Sequence, residues 1–244
     1  MSEEFEIVRE VEVDVPPEQV WEAVTTGTGG YLWPTEPPEP RVGGKGPLGS
    51  TVTAWDPPHR YTHRSEDAGL GDRSLDQVDH TVEPRDGGRR SWVRYVHSGV
   101  FTDDWNRYDG ASKHTNFSLH TLCEYLTHFA PRPAAFARLD GPRTSATPRA
   151  LAAVGRALGL ADDAAAGTKT AVRGPGGRTL DAVIDYRSPY FVGLRTDDAL
   201  IRFFGRGSWG APLGVGVHDF APDADAEANR IAWQDWLNGV FGRS

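Results

Sequence analysis

The chain has 244 residues, 38% of them hydrophobic and 25% charged, with a formal net charge of −8. That length suits one large domain or two small ones and leans toward two, while the composition calls for a folded protein and excludes a disordered one. The acidic balance argues against nucleic acid or an anionic membrane surface as partner, because phosphates need a basic face.

Residues 5–15 alternate, with Phe5, Ile7, Val11, Val13 and Val15 at odd positions and Glu4, Glu6, Glu10, Glu12 and Asp14 at even ones. Period two with one acidic side predicts a half-buried antiparallel strand. Pro16-Pro17 ends it and suits the first turn of a short helix carrying Val20, Trp21, Ala23 and Val24. Gly27, Gly29, Gly30 and Pro34 break that helix. Short strands are expected at 50–55, 60–65, 77–84 and 90–99, the last two joined by a hairpin turn at Asp86-Gly87-Gly88. From Asp103 to Phe129, Ala111, Thr115, Leu119, Leu122, Leu126 and Phe129 step by three and four, the pattern of a long amphipathic helix.

Past Pro131-Arg132-Pro133 the same plan recurs: a strand at 134–139, a helix over 149–160 with Thr147 as N-cap and Pro148 as first residue, and strands at 168–173, 178–187, 190–195, 199–205 and 213–220. A last helix runs to Phe241 behind Asp223, Asp225 and Glu227, acids that favour a helix N-terminus. The charge divides unevenly, −10 over residues 1–130 and +2 over 131–244. The expected fold class is α+β: a curved antiparallel sheet wrapped on a long C-terminal helix, in two tandem copies, 1–132 as the ligand-binding domain and 133–244 as a degenerate second domain with a shorter sheet. In that second copy Arg173, Arg187, Arg195 and Arg202 punctuate the strands, and His218 is the main inward polar residue.

Four runs carry a family resemblance: Val15-Pro16-Pro17-Glu18-Gln19-Val20-Trp21-Glu22-Ala23-Val24, Trp55-Asp56-Pro57-Pro58-His59-Arg60-Tyr61, Val93-Arg94-Tyr95-Val96-His97-Ser98-Gly99, and Leu119-His120-Thr121-Leu122-Cys123-Glu124-Tyr125-Leu126. Together they resemble the bacterial homologues of the Hsp90 ATPase activator, in the START-like (SRPBCC, helix-grip) superfamily. The resemblance covers residues 5–130 and extends to the second half only by plan. It implies the helix-grip fold and a cavity for an apolar or amphipathic small molecule. It fixes no single function, since the superfamily spans lipid carriers, polyketide cyclases, stress proteins and antibiotic-resistance proteins.

Most catalytic and metal signatures fail on spacing. Gly207-Ser208-Trp209-Gly210 is not a nucleophile elbow. Cys123, among Leu119, Leu122 and Leu126, reads as a core or boundary residue. His59 and His63 would lie about 13 Å apart along one strand, too far to share a metal. Asp223, Asp225 and Glu227 lack the glycine and twelfth-position glutamate of a calcium loop, and Gly27-x-Gly29-Gly30 follows a helix, so it is no dinucleotide loop. No metal and no cofactor is expected.

What survives is a polar, aromatic set on inward strand faces: Tyr61 and His63, then His80 between Val78 and Val82, then Tyr95 and His97 beside Val93. Unpaired buried imidazole or phenol costs about 1–3 kcal/mol each, so such groups need each other, water or a ligand. Trp33 lies where a lid over the mouth would sit. The leading expectation is a binding protein for a small apolar or aromatic molecule, using Trp33, Tyr61, His63, His80, Tyr95 and His97. An enzyme of aromatase/cyclase or hydrolase type is the alternative, with His80 or His97 as general base and Tyr61 or Tyr95 polarising a carbonyl. A third reading is a protein-interaction module, for instance one touching a chaperone, using the acidic first half. The single cysteine and an acidic rather than basic-then-apolar N-terminus point to the cytoplasm, and no run is apolar enough for a transmembrane helix.

Overall fold

The computed structural model describes residues 3–66, 73–101 and 106–242. It divides into two compact units, Met1–Arg132 and Pro133–Ser244. In the first, β1 (Glu3–Val13) leads into α1 (Pro17–Thr25), a 3-10 turn (Thr28–Gly30), β2 (Thr51–Asp56), β3 (Arg60–Glu66), β4 (Arg73–Arg85), β5 (Arg90–Phe101) and α2 (Asn106–His128). The strands form one antiparallel sheet in the order β1-β5-β4-β3-β2. The first strand thus returns to pair with the last, and the long helix closes the unit.

The alternation of β1 holds: Phe5, Ile7, Val13 and Val15 are buried while Glu4, Glu6, Glu10 and Glu12 are exposed. Pro17 opens α1 at the first helical positions, and Val20, Ala23 and Val24 face inward. α1 packs on β4 and β5, and α2 packs along β1 and α1. On α2, Thr115, Leu119, Leu122 and Leu126 form the buried stripe, joined by Phe117 and Tyr125, with Phe129 buried just past the helix end. A sheet gripped by one long helix, with a short helix beside it, is the helix-grip architecture.

The second unit follows the same plan: β6 (Ala135–Asp140), α3 (Ala150–Leu158), β7 (Lys169–Arg173), β8 (Thr179–Arg187), β9 (Phe191–Arg195), β10 (Ala199–Phe204), β11 (Gly214–Asp219) and α4 (Ala226–Phe241). Its sheet order is β6-β11-β10-β9-β8-β7, again first strand beside last. Its core gathers Val154 and Leu158 of α3, Trp233 and Leu237 of α4, and Ile184, Leu194, Phe203 and Val215 of the sheet.

Three expectations for this half need correction. Among the described residues the sheet has six strands against five in the first unit, so it is wider, although its strands are shorter. The first helix starts at Ala150 with Arg149 at the cap and no side-chain cap bond, so Thr147 is not the N-cap. Tertiary contact overrides the local signal: the Thr147 carbonyl accepts from Ala150 N, and Gly207 lies so close that a Cβ there would sit 2.0 Å from it. His218 is not the main inward polar residue, because Arg202 is 1% exposed and paired with buried Asp185 at 2.8 Å. The capping role of Asp225 stands, since its carboxylate accepts from Glu227 N and Ala228 N.

Candidate functional site

The inward face of the first sheet is organised in rows. Arg9 lies opposite Tyr95, Tyr95 opposite His80, His80 opposite Tyr61, and Tyr61 opposite Trp55, one residue from each of the five strands. A second row, two residues along, runs Ile7, His97, Val78, His63 and Val52. Alternation places Arg60, Thr62, Asp79, Thr81 and Arg94 on the opposite face. There Arg60, Asp79, Thr81 and Arg94 line a shallow, open depression. Asp79 is fully engaged in it, accepting from Thr62 at 2.6 Å and Arg60 at 2.9 Å.

The inner rows make a continuous chain of ring contacts. Trp21 of α1 meets Trp55 edge-on at 4.9 Å, and Trp55 meets Tyr61 at 5.6 Å. Tyr61 stacks on His80 at 6.2 Å and touches His63 at 5.4 Å. His80 meets Tyr95 at 5.2 Å, Tyr95 meets His97 at 6.4 Å, and His97 meets Phe5 at 5.1 Å. Five of the six residues expected from the sequence therefore belong to one ladder. Trp33 does not join it: 38% exposed beyond the 3-10 turn, it makes no ring contact among the described residues.

The turn after α1 supplies the other wall. Gly30 is needed there, because a Cβ would lie 2.5 Å from the Tyr125 ring. Tyr31 stacks on Tyr125 at 6.5 Å. Burial pushes the Tyr31 phenol up, and the neighbouring Tyr95, Tyr61 and Tyr125 push it further.

Two polar atoms in the ladder stand out. Tyr61 is 1% exposed and His80 6%, and neither Tyr61 Oη nor His80 Nδ1 has a hydrogen-bond partner among the described residues. Burial pushes the Tyr61 phenol up. Burial, with His63 nearby, lowers His80 to about 3, against the slight pull of Asp79. Burial likewise lowers His63 to about 4, with Asp76 opposing and His97 assisting. At neutral pH these groups are uncharged, and two of them carry a buried atom with no hydrogen-bond partner among the described residues.

Two residues of this face escape a reading of the sequence. Asp76 precedes the segment expected to be β4, yet its Oδ1 accepts from His97 Nε2 at 2.5 Å. Arg9 interrupts the odd-numbered apolar stripe of β1 and is bound through its guanidinium to Ser112 and Asn116 of α2. The broken alternation at Arg9 is a signal the sequence does carry. Cys123 stays protonated at neutral pH, since burial and Glu124 push it to about 11, so it is no ready nucleophile. Among the described residues no three His, Cys, Asp or Glu side chains are grouped to hold a metal, and no helix is long and apolar enough to cross a membrane.

No family model matches the chain, and no curated protein matches it. Solved structures do resemble it. Protein MLL2253 from Mesorhizobium loti is 23% identical over 51% of this chain and 98% of its own, with a TM-score of 0.44. The Aha1 dimer from Colwellia psychrerythraea is 16% identical over 50% of this chain and 96% of its own, at 0.41. DynU16, a protein of the dynemicin biosynthetic locus, is 17% identical over 97% of this chain and 95% of its own, at 0.41. The helix-grip assignment rests on this chain's own strand order and helix placement.

Proposed function

We propose that residues 1–132 form a binding domain for a small apolar or aromatic molecule, held between the inner sheet face and the α1, Tyr31 and α2 wall. The observation that carries this reading is a pair of buried atoms on adjacent stacked rings, Tyr61 Oη and His80 Nδ1, that have no hydrogen-bond partner among the described residues. A dry core of aromatic side chains would be cheaper with phenylalanine at both places, because each unsatisfied polar atom costs about 1–3 kcal/mol. A ligand oxygen or nitrogen lodged beside them supplies what the protein does not, and the rings of Trp21, Trp55, Tyr61 and Tyr95 supply apolar contact. Thermal-shift and native mass-spectrometry screens with fatty acids, aromatic polyketides and flavonoids test it. A one-to-one complex that Tyr61→Phe weakens supports the reading; silence across the screen counts against it.

One observation favours the enzymatic alternative. Asp76 fixes the His97 ring by accepting from Nε2, leaving Nδ1 as the basic nitrogen, the arrangement a general base requires. His80 is unsuited to that task, since a group held near 3 is too weak a base at neutral pH. Under this reading Asp76→Asn abolishes turnover of a bound carbonyl compound while leaving its binding intact.

A further inference from the structure

Arg9 is a half-buried cation on the inner face, and its neighbours among the described residues do not neutralise it. A guanidinium has five N–H groups. Three are used: Nη1 donates to the Val8 carbonyl at 2.7 Å, Nη2 to the Ser112 hydroxyl at 2.8 Å, and Nε to the side-chain carbonyl of Asn116. All three acceptors are neutral. One N–H remains on each terminal nitrogen. Elsewhere in the same unit Arg41, Arg60, Arg64, Arg85, Arg90 and Arg94 each pair with a carboxylate. In a half of the chain with net charge −10, an arginine with no carboxylate partner among the described residues, and tied to two residues of α2, is a positioned positive charge.

Arg9 also stands at one end of a graded row. Tyr95, His80 and Tyr61 follow it across the sheet, and Trp55, with Trp21 against it, closes the far end. Five strands at about 4.8 Å spacing make this row about 19 Å long. Its middle is uncharged, because burial keeps His80 neutral and the Tyr61 phenol protonated. Asp76, a carboxylate on this face, lies four residues along β4 from His80, about 13 Å away, and is engaged by His97. A cation at one end, hydrogen-bonding rings in the middle and indoles at the other end describe the complement of an elongated organic acid.

We infer that Arg9 is the anion anchor of the interior site, and that its ligand is an organic acid, with its carboxylate or sulfonate at Arg9 and its aromatic body laid across the strands toward Trp55. This rests on the proposal that the interior of residues 1–132 binds a small molecule. An uncompensated guanidinium in partly desolvated surroundings favours an anionic group through charge-assisted hydrogen bonds, and arginine does so without titrating.

The test uses two fluorescent probes that share one aromatic body: anilinonaphthalene sulfonate, and phenylnaphthylamine, which lacks the sulfonate. Wild-type protein is expected to bind the sulfonate about tenfold tighter than the neutral probe, the scale of one charge-assisted contact. Arg9→Gln removes that preference and leaves the neutral probe's Kd within about twofold; Arg9→Lys, which keeps the charge, retains part of it. If the neutral probe binds but the wild type shows no sulfonate preference, or the preference survives in Arg9→Gln, the anchor is wrong and the binding domain stands. If neither probe binds, both fall. Should Arg9→Gln fail to fold, the wild type decides by salt. The anchor predicts that sulfonate affinity drops toward that of the neutral probe between about 50 mM and 500 mM NaCl, and a salt-independent preference overturns it.

Discussion

Replacing Tyr61 by phenylalanine removes one oxygen from the centre of the ladder and leaves every ring contact possible. In most proteins a buried Tyr→Phe change destabilises, because a hydrogen bond is lost. Here Tyr61 is 1% exposed and its hydroxyl has no partner among the described residues, while its ring touches Trp55, Trp21, His63 and His80. Deleting an unsatisfied hydroxyl relieves a penalty of about 1–3 kcal/mol, so the ligand-free protein should be unchanged or more stable. For a unit the size of residues 1–132, 1 kcal/mol moves Tm by about 4 °C, so the expected shift runs from zero to several degrees upward. Differential scanning calorimetry on ligand-stripped protein measures it, and the transition of residues 1–132 is the one to follow. With ligand present the sign reverses, because a ligand contact at the hydroxyl is lost. A fall of more than about 1 kcal/mol in the stripped variant would show that the hydroxyl has a structural partner, and the case for a ligand at that atom would collapse.

Other outcomes follow from the same geometry. His80 and His63 are held near 3 and 4, well below the ordinary 6.5. The unfolded chain then binds more protons than the folded one between those values, so stability is intact above about pH 6.5 and is lost as pH falls toward 4. Chemical denaturation at stepped pH checks this, and His80→Gln should flatten the pH 4–6.5 portion. In the second unit Arg202 and Asp185 form a buried ion pair at 2.8 Å. Asp185→Ala strands a cation and should cost about 3–5 kcal/mol, whereas Arg202→Met with Asp185→Leu should cost much less, a contrast readable in thermal melts. Expressed alone, residues 1–132 should be soluble, folded and able to bind the ligands of the full chain; aggregation would mean that the two halves share one core.

The fold was legible where neighbouring residues dictate structure. Alternation in residues 5–15 marks β1, the three-and-four stepping of Thr115, Leu119, Leu122 and Leu126 marks α2, and Asp86-Gly87-Gly88 marks the β4–β5 turn. The inward placement of Tyr61, His80, Tyr95 and His97 follows from period two once each strand is located. What escaped depends on residues distant in the chain. Arg9 meets Ser112 and Asn116 more than a hundred positions later, and Asp76 meets His97 across a hairpin from a stretch with no apolar periodicity. The cap at Thr147 failed for the same reason: Gly207, sixty residues on, occupies the space beside its carbonyl. The burial of Arg202 escaped because the carboxylate that allows it, Asp185, lies on β8, two strands away across β9.

The central claim is that a small molecule occupies the space between the ladder and the α1, Tyr31 and α2 wall. A crystal structure of the full chain soaked with phenylnaphthylamine tests it most directly. The account predicts the probe's rings against Tyr61 and Trp55, with its amine within about 3.2 Å of Tyr61 Oη or His80 Nδ1. An interior closed by the protein's own side chains, with the probe elsewhere or absent, would contradict it.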